Sequence, residues 1–156
     1  MISNVPTVKD ELICEMRKAS EIRGLWYFML VNEGVRRGLP VSFARPKIFK
    51  LGISNKQRNA NTDEFKVWAD TFVTPNRQKF FEMEVVKMTD TEARVDFHYC
   101  PMLGAWSKLT DDPEFLSEIC DMAMDVDRGL FSTYDHFEFE LGDAIAAGGK
   151  TCQLCM

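Results

Sequence analysis

Cys100 combines a nucleophilic side chain with a position that would activate it. It closes a run in which Ala93, Val95, Phe97 and Tyr99 alternate with Arg94, Asp96 and His98. Period-two alternation puts His98 and Cys100 on one side of a strand, roughly 7 Å apart. Pro101 suits the first position of a helix, here over 102–109, so Cys100 is expected at the N-cap. A thiol there faces unpaired backbone N–H groups and the positive end of the helix dipole. Both favour thiolate, so the expected roles are nucleophile or metal ligand. A cysteine that only packs is the competing expectation.

Other residues could join it. Asp127 follows Cys120 by seven residues and Ala123 by four, which places a carboxylate on the apolar stripe of one helix. Such a group needs a partner, a ligand or a metal. Asp121 and Asp125 fall on more exposed faces and read as solvated charges. Cys152 and Cys155 form a C-x-x-C at the end of the chain. On a strand an offset of three sends the two thiols to opposite faces, and Cys152 would point inward with Leu154. Cys100, Cys120 and Cys152 could then converge with His98 and Asp127. No second C-x-x-C accompanies them, so a four-thiolate zinc site lacks its usual spacing. Trp106 lies on the short helix after Cys100, as an aromatic wall for a planar ligand or as a core plug. Arg36, Arg37 and Arg45 read as an amphipathic surface, with a carboxylate clamp as the lesser option.

These residues need a scaffold, and the sequence implies an α+β one. Thr7-Val8-Lys9-Asp10 resembles a capping box ahead of a long helix. Its apolar positions are Val8, Leu12, Ile13, Met16 and Ala19, then Ile22, Leu25, Trp26, Met29 and Leu30. Gly38 and Pro40 end it, and Gly24 is a candidate kink. A second helical piece passes through Phe43, Ile48 and Phe49, and 54–62 reads as a loop. Thr62 caps a third helix through Phe65, Trp68 and Phe72, which Thr74-Pro75-Asn76 stops. Phe81, Met83 and Val85 then alternate, Thr89-Asp90-Thr91 turns, and the 93–99 strand returns as a hairpin. Asp112-Pro113-Glu114 opens a helix reaching Leu130, a strand follows through Phe137, Phe139 and Leu141, and Gly148-Gly149 turns into a closing strand. The expected architecture is N-terminal helices packed on an antiparallel sheet, with a helix inserted between the central hairpin and the C-terminal strands, in a single domain over 1–156.

Composition narrows the function classes. The 156 residues carry a formal charge of −5 and are 46% hydrophobic. That balance opposes nonspecific nucleic-acid binding, which wants a basic surface. No apolar run nears the ~20 residues of a membrane span. The N-terminus lacks the pattern of a signal peptide. Five cysteines without a dense framework suit reduced thiols in a cytoplasm. A small-molecule ligand is therefore the expected partner, with no nucleic acid and no membrane. Phosphate loops, G-x-S-x-G and H-E-x-x-H are all missing.

The order His98-Tyr99-Cys100-Pro101, Trp106, Ile119-Cys120-Asp121, Asp127-Arg128-Gly129, Phe137-Glu138-Phe139, Gly149 and Cys152 resembles the L-2-amino-thiazoline-4-carboxylic acid hydrolase-like family over about 80–156. Cys155 departs from that pattern. The resemblance implies a small hydrolase that opens a C–N bond in a non-peptide ring. Cys100 would be nucleophile or hold a metal, His98 would be general base, and Asp127 would orient the base or bind substrate. Trp106, Cys120 and Cys152 would line the substrate site. The implied cofactor is unknown, and zinc is the metal such thiols would take. A noncatalytic domain binding a small molecule or metal remains the alternative.

Overall fold

The computed structural model describes residues 2–58 and 62–156, apart from the side chains of residues 57 and 58. Helix α1 runs unbroken over Glu11–Arg36, with the Asp10 side chain accepting from the Ile13 N–H at its start. Gly24 does not kink it. That glycine lets α5 (Pro101–Trp106) approach: a Cβ there would lie 3.2 Å from the Met102 Cα, and the Gly24 carbonyl accepts the Trp106 indole N–H at 2.8 Å. Gly38, at φ 88°, supplies the left-handed turn after the helix.

The apolar stripe expected to bury α1 turns out to face outward in part. Leu12, Ile22, Trp26, Met29 and Leu30 are exposed, and the inner face is Ile13, Arg17, Gly24, Phe28, Val31 and Gly34. Both faces carry apolar residues, so periodicity alone had no means of choosing between them.

A 3-10 turn leads into α2 (Arg45–Ser54), and Pro46 sits harmlessly in its first turn. A further 3-10 turn, Asn55–Arg58, occupies part of the expected loop, whose residues 59–61 lie outside the described residues. Helix α3 is Phe65–Phe72, capped at Glu64 and not at Thr62. Thr74-Pro75 then starts a helix as well as stopping one: the Thr74 hydroxyl accepts from the Arg77 N–H at the head of α4 (Pro75–Phe81). Phe81 therefore belongs to a helix, and strand β1 begins at Met83.

Strands β1 (Met83–Met88), β2 (Ala93–Phe97), β3 (Glu140–Leu141) and β4 (Cys152–Cys155) form an antiparallel sheet in the order β1-β2-β4-β3. Val95 pairs with Val85 on one side and Leu154 on the other. Ala93, Val95, Phe97, Cys152 and Leu154 are buried, and the helices cover that face. The α+β expectation, helices on an antiparallel sheet, therefore holds. The helix expected between Asp112 and Leu130 is broken into α6 (Pro113–Ala123) and α7 (Asp125–Phe131) at Met124. Helices α2 and α7 touch backbone to backbone: a Cβ on Gly52 would sit 2.1 Å from the Val126 carbonyl oxygen.

Candidate functional site

Cys100 caps α5 with extended backbone, φ −127° and ψ 114°, as the Pro101 rule requires. Its main chain is clamped by Asn4: the Cys100 N–H donates to Oδ1 and the Asn4 Nδ2 donates to the Cys100 carbonyl, both at 2.8 Å. The N-terminal segment thus covers the start of the helix. The N–H groups of Met102 and Leu103 bear on the sulfur and pull its pKa down, without closing a formal cap hydrogen bond. Burial outweighs them, and the net shift is upward. This corrects the expectation of an activated thiolate. The helix terminus acts in the expected direction, but the surroundings are too apolar for it to win.

The three thiols fall in one core: Cys120 and Cys152 belong to the same buried cluster, and Cys100 packs against it. Cys120 of α6 and Cys152 of β4 are each 8% exposed, and Cys100 keeps somewhat more surface. Their charges would be mutually felt: Cys100 and Cys152 both act on Cys120, and Cys100 acts on Cys152. Burial pushes Cys120 up strongly and Cys152 to about 12, although the Ile145 N–H, donating to the Cys152 sulfur at 3.4 Å, opposes that rise. All three are therefore neutral thiols at rest. Phe97, Leu116, Ile119 and Met122 belong to the same core cluster. Cys14 lies on α1, and Cys155 points to the other side of β4, as a strand offset of three demands.

His98 is elsewhere. It is exposed on the outer side of β2, with Nε2 3.2 Å from the Glu84 Oε2 across the hairpin. The chain turns at Tyr99-Cys100 into α5, so strand alternation no longer relates the two side chains. Trp106 is 1% exposed, its indole N–H is committed to Gly24, and its ring lies 5.5 Å from Tyr27, in the position of a core plug.

Asp127 lies half-buried on α7, and burial lifts its carboxyl to about 6. Arg77 of α4 is its main compensating charge, followed by its own N–H, Arg128 and Arg23. Arg77 is itself pushed down by burial despite Asp127, and it donates to the Phe72 carbonyl and stacks on the Phe72 ring. Both partners thus register the same dry surroundings. Arg23 is the least of the influences acting on Cys100 and on Asp127.

Asp121 and Asp125, expected as solvated charges, form an ion lattice. Arg45 pairs with Asp121 and, at 3.2 Å, with both oxygens of Asp125. Arg128 reaches Asp125 and Asp121 at 2.6 Å each and also donates to the Asp121 carbonyl. Burial raises Asp121, but the two arginines outweigh it and hold its carboxyl below the usual range. The break at Met124 rotates α7 relative to α6, which turns Asp125 inward. Arg128, three residues after Asp125, was the available signal.

Two surface hollows are bordered by none of Cys100, Cys120 and Cys152. One of about 610 Å³ is bordered by Arg128, Phe131, Tyr134, Phe137, Phe139 and Cys155, and one of about 340 Å³ by Ser117, Asp121 and the 141–149 turn. We weigh the thiol cluster above them because nucleophilic groups share one core there. In the larger hollow the one arginine is already committed to the lattice. Among the described residues no group of three or more His, Cys, Asp or Glu side chains is placed to hold a metal, and no helix is long and apolar enough to cross a membrane.

Residues 42–156 match the family model of L-2-amino-thiazoline-4-carboxylic acid hydrolase. The chain belongs to this family. Membership extends the resemblance upstream from about residue 80 to include α2 and α3. No curated protein matches the sequence. A solved structure with the same fold is a trafficking protein particle complex subunit 3 from Naegleria fowleri covalently bound to palmitic acid. It is 16% identical, with a TM-score of 0.60 over 89% of this chain and 94% of that one.

Proposed function

We propose that the chain is a thiol-dependent hydrolase that opens a C–N bond in a small non-peptide ring, such as an aminothiazoline carboxylate. What supports this is that three free thiols, Cys100, Cys120 and Cys152, share one core in a member of this hydrolase family. Cys100 is the nucleophile because, of the three, it alone stands at a helix start. Its thiol is protonated at rest, so a base must take the proton when substrate binds. Asp127, poised near 6, is matched to that task at neutral pH. The thiolate adds to the ring carbon, and the C=N electron pair moves to the ring nitrogen. Asp127 returns its proton there. The exocyclic amino nitrogen then forms a new C=N bond to the same carbon and gives up a proton, which Asp127 passes to the ring nitrogen as the C–N bond breaks. Water then cleaves the S–C bond and regenerates the thiol. Cys120 and Cys152 line the site, and Arg23 attracts the substrate carboxylate. His98 enters this scheme only by leaving Glu84.

A second reading is favoured by the fold. The solved structure that shares it holds palmitic acid covalently, and the thiols here lie among apolar side chains. On that reading the domain is noncatalytic and Cys100 carries an acyl chain.

Turnover of the aminothiazoline acid separates the two. Cys100→Ser should lower it by on the order of 1,000-fold, while Cys155→Ser leaves it unchanged. Full activity in Cys100→Ser removes the nucleophile assignment. Absent turnover in the wild type, with a hydroxylamine-labile acyl mass on Cys100, establishes the second reading instead.

A further inference from the structure

The outward face of α1 carries the largest unexplained feature of the molecule. Leu12, Met16, Ile22, Trp26, Met29 and Leu30 lie on one side of a helix about 39 Å long. They are 58, 39, 58, 71, 58 and 69% exposed. A stripe of that kind is rare on a monomer, because it leaves apolar area in water with nothing to offset it. The opposite face of the same helix already packs on the core, so the stripe is surplus to folding.

We propose that this face is the interface of a homodimer in which two copies of α1 cross antiparallel about a two-fold axis at Trp26. The charges at its edges select that occupant. Glu15 and Lys18 flank the stripe toward one end, Glu33 and Arg37 toward the other, and all four are exposed. Antiparallel pairing centred on Trp26 sets Glu15 against Arg37 of the second copy, and Lys18 within one residue of its Glu33. It sets Ile22 against Leu30, and Trp26 against itself. Every opposition but that of Trp26, which lies on the axis, occurs twice, as two-fold symmetry demands. A parallel pairing would stack Glu15 on Glu15 and Arg37 on Arg37. The charges are now held in exposed pairs along the helix, Lys18 with Glu15, and Glu33 with both Arg36 and Arg37, and such pairs exchange at little cost. Six apolar side chains at these exposures offer on the order of 600 Å² per copy, near the ~800 Å² per partner of a standard interface once a polar rim is added. Trp26 at the centre is the residue type that dominates such contacts.

The test is the mass of the full chain by light scattering or sedimentation. The wild type should run at twice the 17.9 kDa chain mass. Trp26→Glu should run as a monomer with the same circular dichroism as the wild type, since Trp26 is largely exposed, and should melt lower only by what dimerisation adds. Glu15→Arg should weaken dimerisation about tenfold, and adding Arg37→Glu should restore it. That rescue stands whether or not Trp26→Glu is well behaved. A wild type still monomeric at about 100 μM overturns the proposal, as does a dimer indifferent to both variants. A wild-type monomer that binds phospholipid vesicles through Trp26 also overturns it, and assigns the face to lipid.

Discussion

Cys120 and Asp121 are neighbours on α6, yet they belong to two polar regions of opposite character. Asp121 joins Asp125, Arg45 and Arg128 in a lattice where each carboxylate meets both guanidinium groups. Cys120 joins Cys100 and Cys152 where burial goes uncompensated and thiol pKa values rise. Asp127 sits in sequence between two lattice members, but it shares the dry character of the thiols. A satisfied network rigidifies and spends its chemistry on itself. Under-compensated groups keep theirs, which is why the catalytic assignment goes to the second region.

The lattice depends on α2 lying against α7, and the largest effect should come from parting them. Gly52→Ala puts a methyl against the Val126 carbonyl and should cost about 3 kcal/mol in denaturant unfolding. Thiol alkylation in the remaining folded protein should not change. A cost under about 1 kcal/mol would mean that the contact is loose and the two regions are less distinct.

Asp127 sharpens the comparison through pH. Its folded pKa of about 6 lies above the ordinary 3.8. The folded state therefore favours the protonated carboxyl, and that stability is full below 3.8 and lost as pH rises through 6. Asp127→Asn should gain about 3 kcal/mol at pH 7 and nothing at pH 3, while turnover falls because the base is gone. An unchanged slope of stability against pH between those values would move Asp127 into the satisfied class.

The smallest effect belongs to His98. Its pair with Glu84 is solvent-exposed, and His98→Ala should change stability by less than about 0.5 kcal/mol. Turnover should hold as well. A large fall in turnover would bring the imidazole back into the site and change which groups the thiols work with.

How far the sequence reached depends on the range of the forces involved. The Asp112 cap was legible because a cap acts within a turn: its side chain accepts the Glu114 and Phe115 N–H groups. The cap of α1 fell at Asp10 instead of Thr7, and Thr74, read as a stop, also starts α4. Alternation placed Val95 and Phe97 inward because both belong to regular β2. It misled at His98 and Cys100, where the chain leaves the strand. The stripe that grouped Asp127 with Cys120 presumed one continuous helix, and past one residue of irregularity at Met124 Asp125 is buried while Asp127 is half-buried.

By itself the sequence determined the α+β class, the hairpin, Cys100 at the head of α5 and the family, all of which rest on local geometry or residue order. Only the tertiary structure decided which face of α1 turns outward, that three thiols from three elements share one core, and that burial overrides the helix terminus at Cys100. Those outcomes depend on which distant surfaces exclude water together, and desolvation is a property of the assembled fold that no local pattern records.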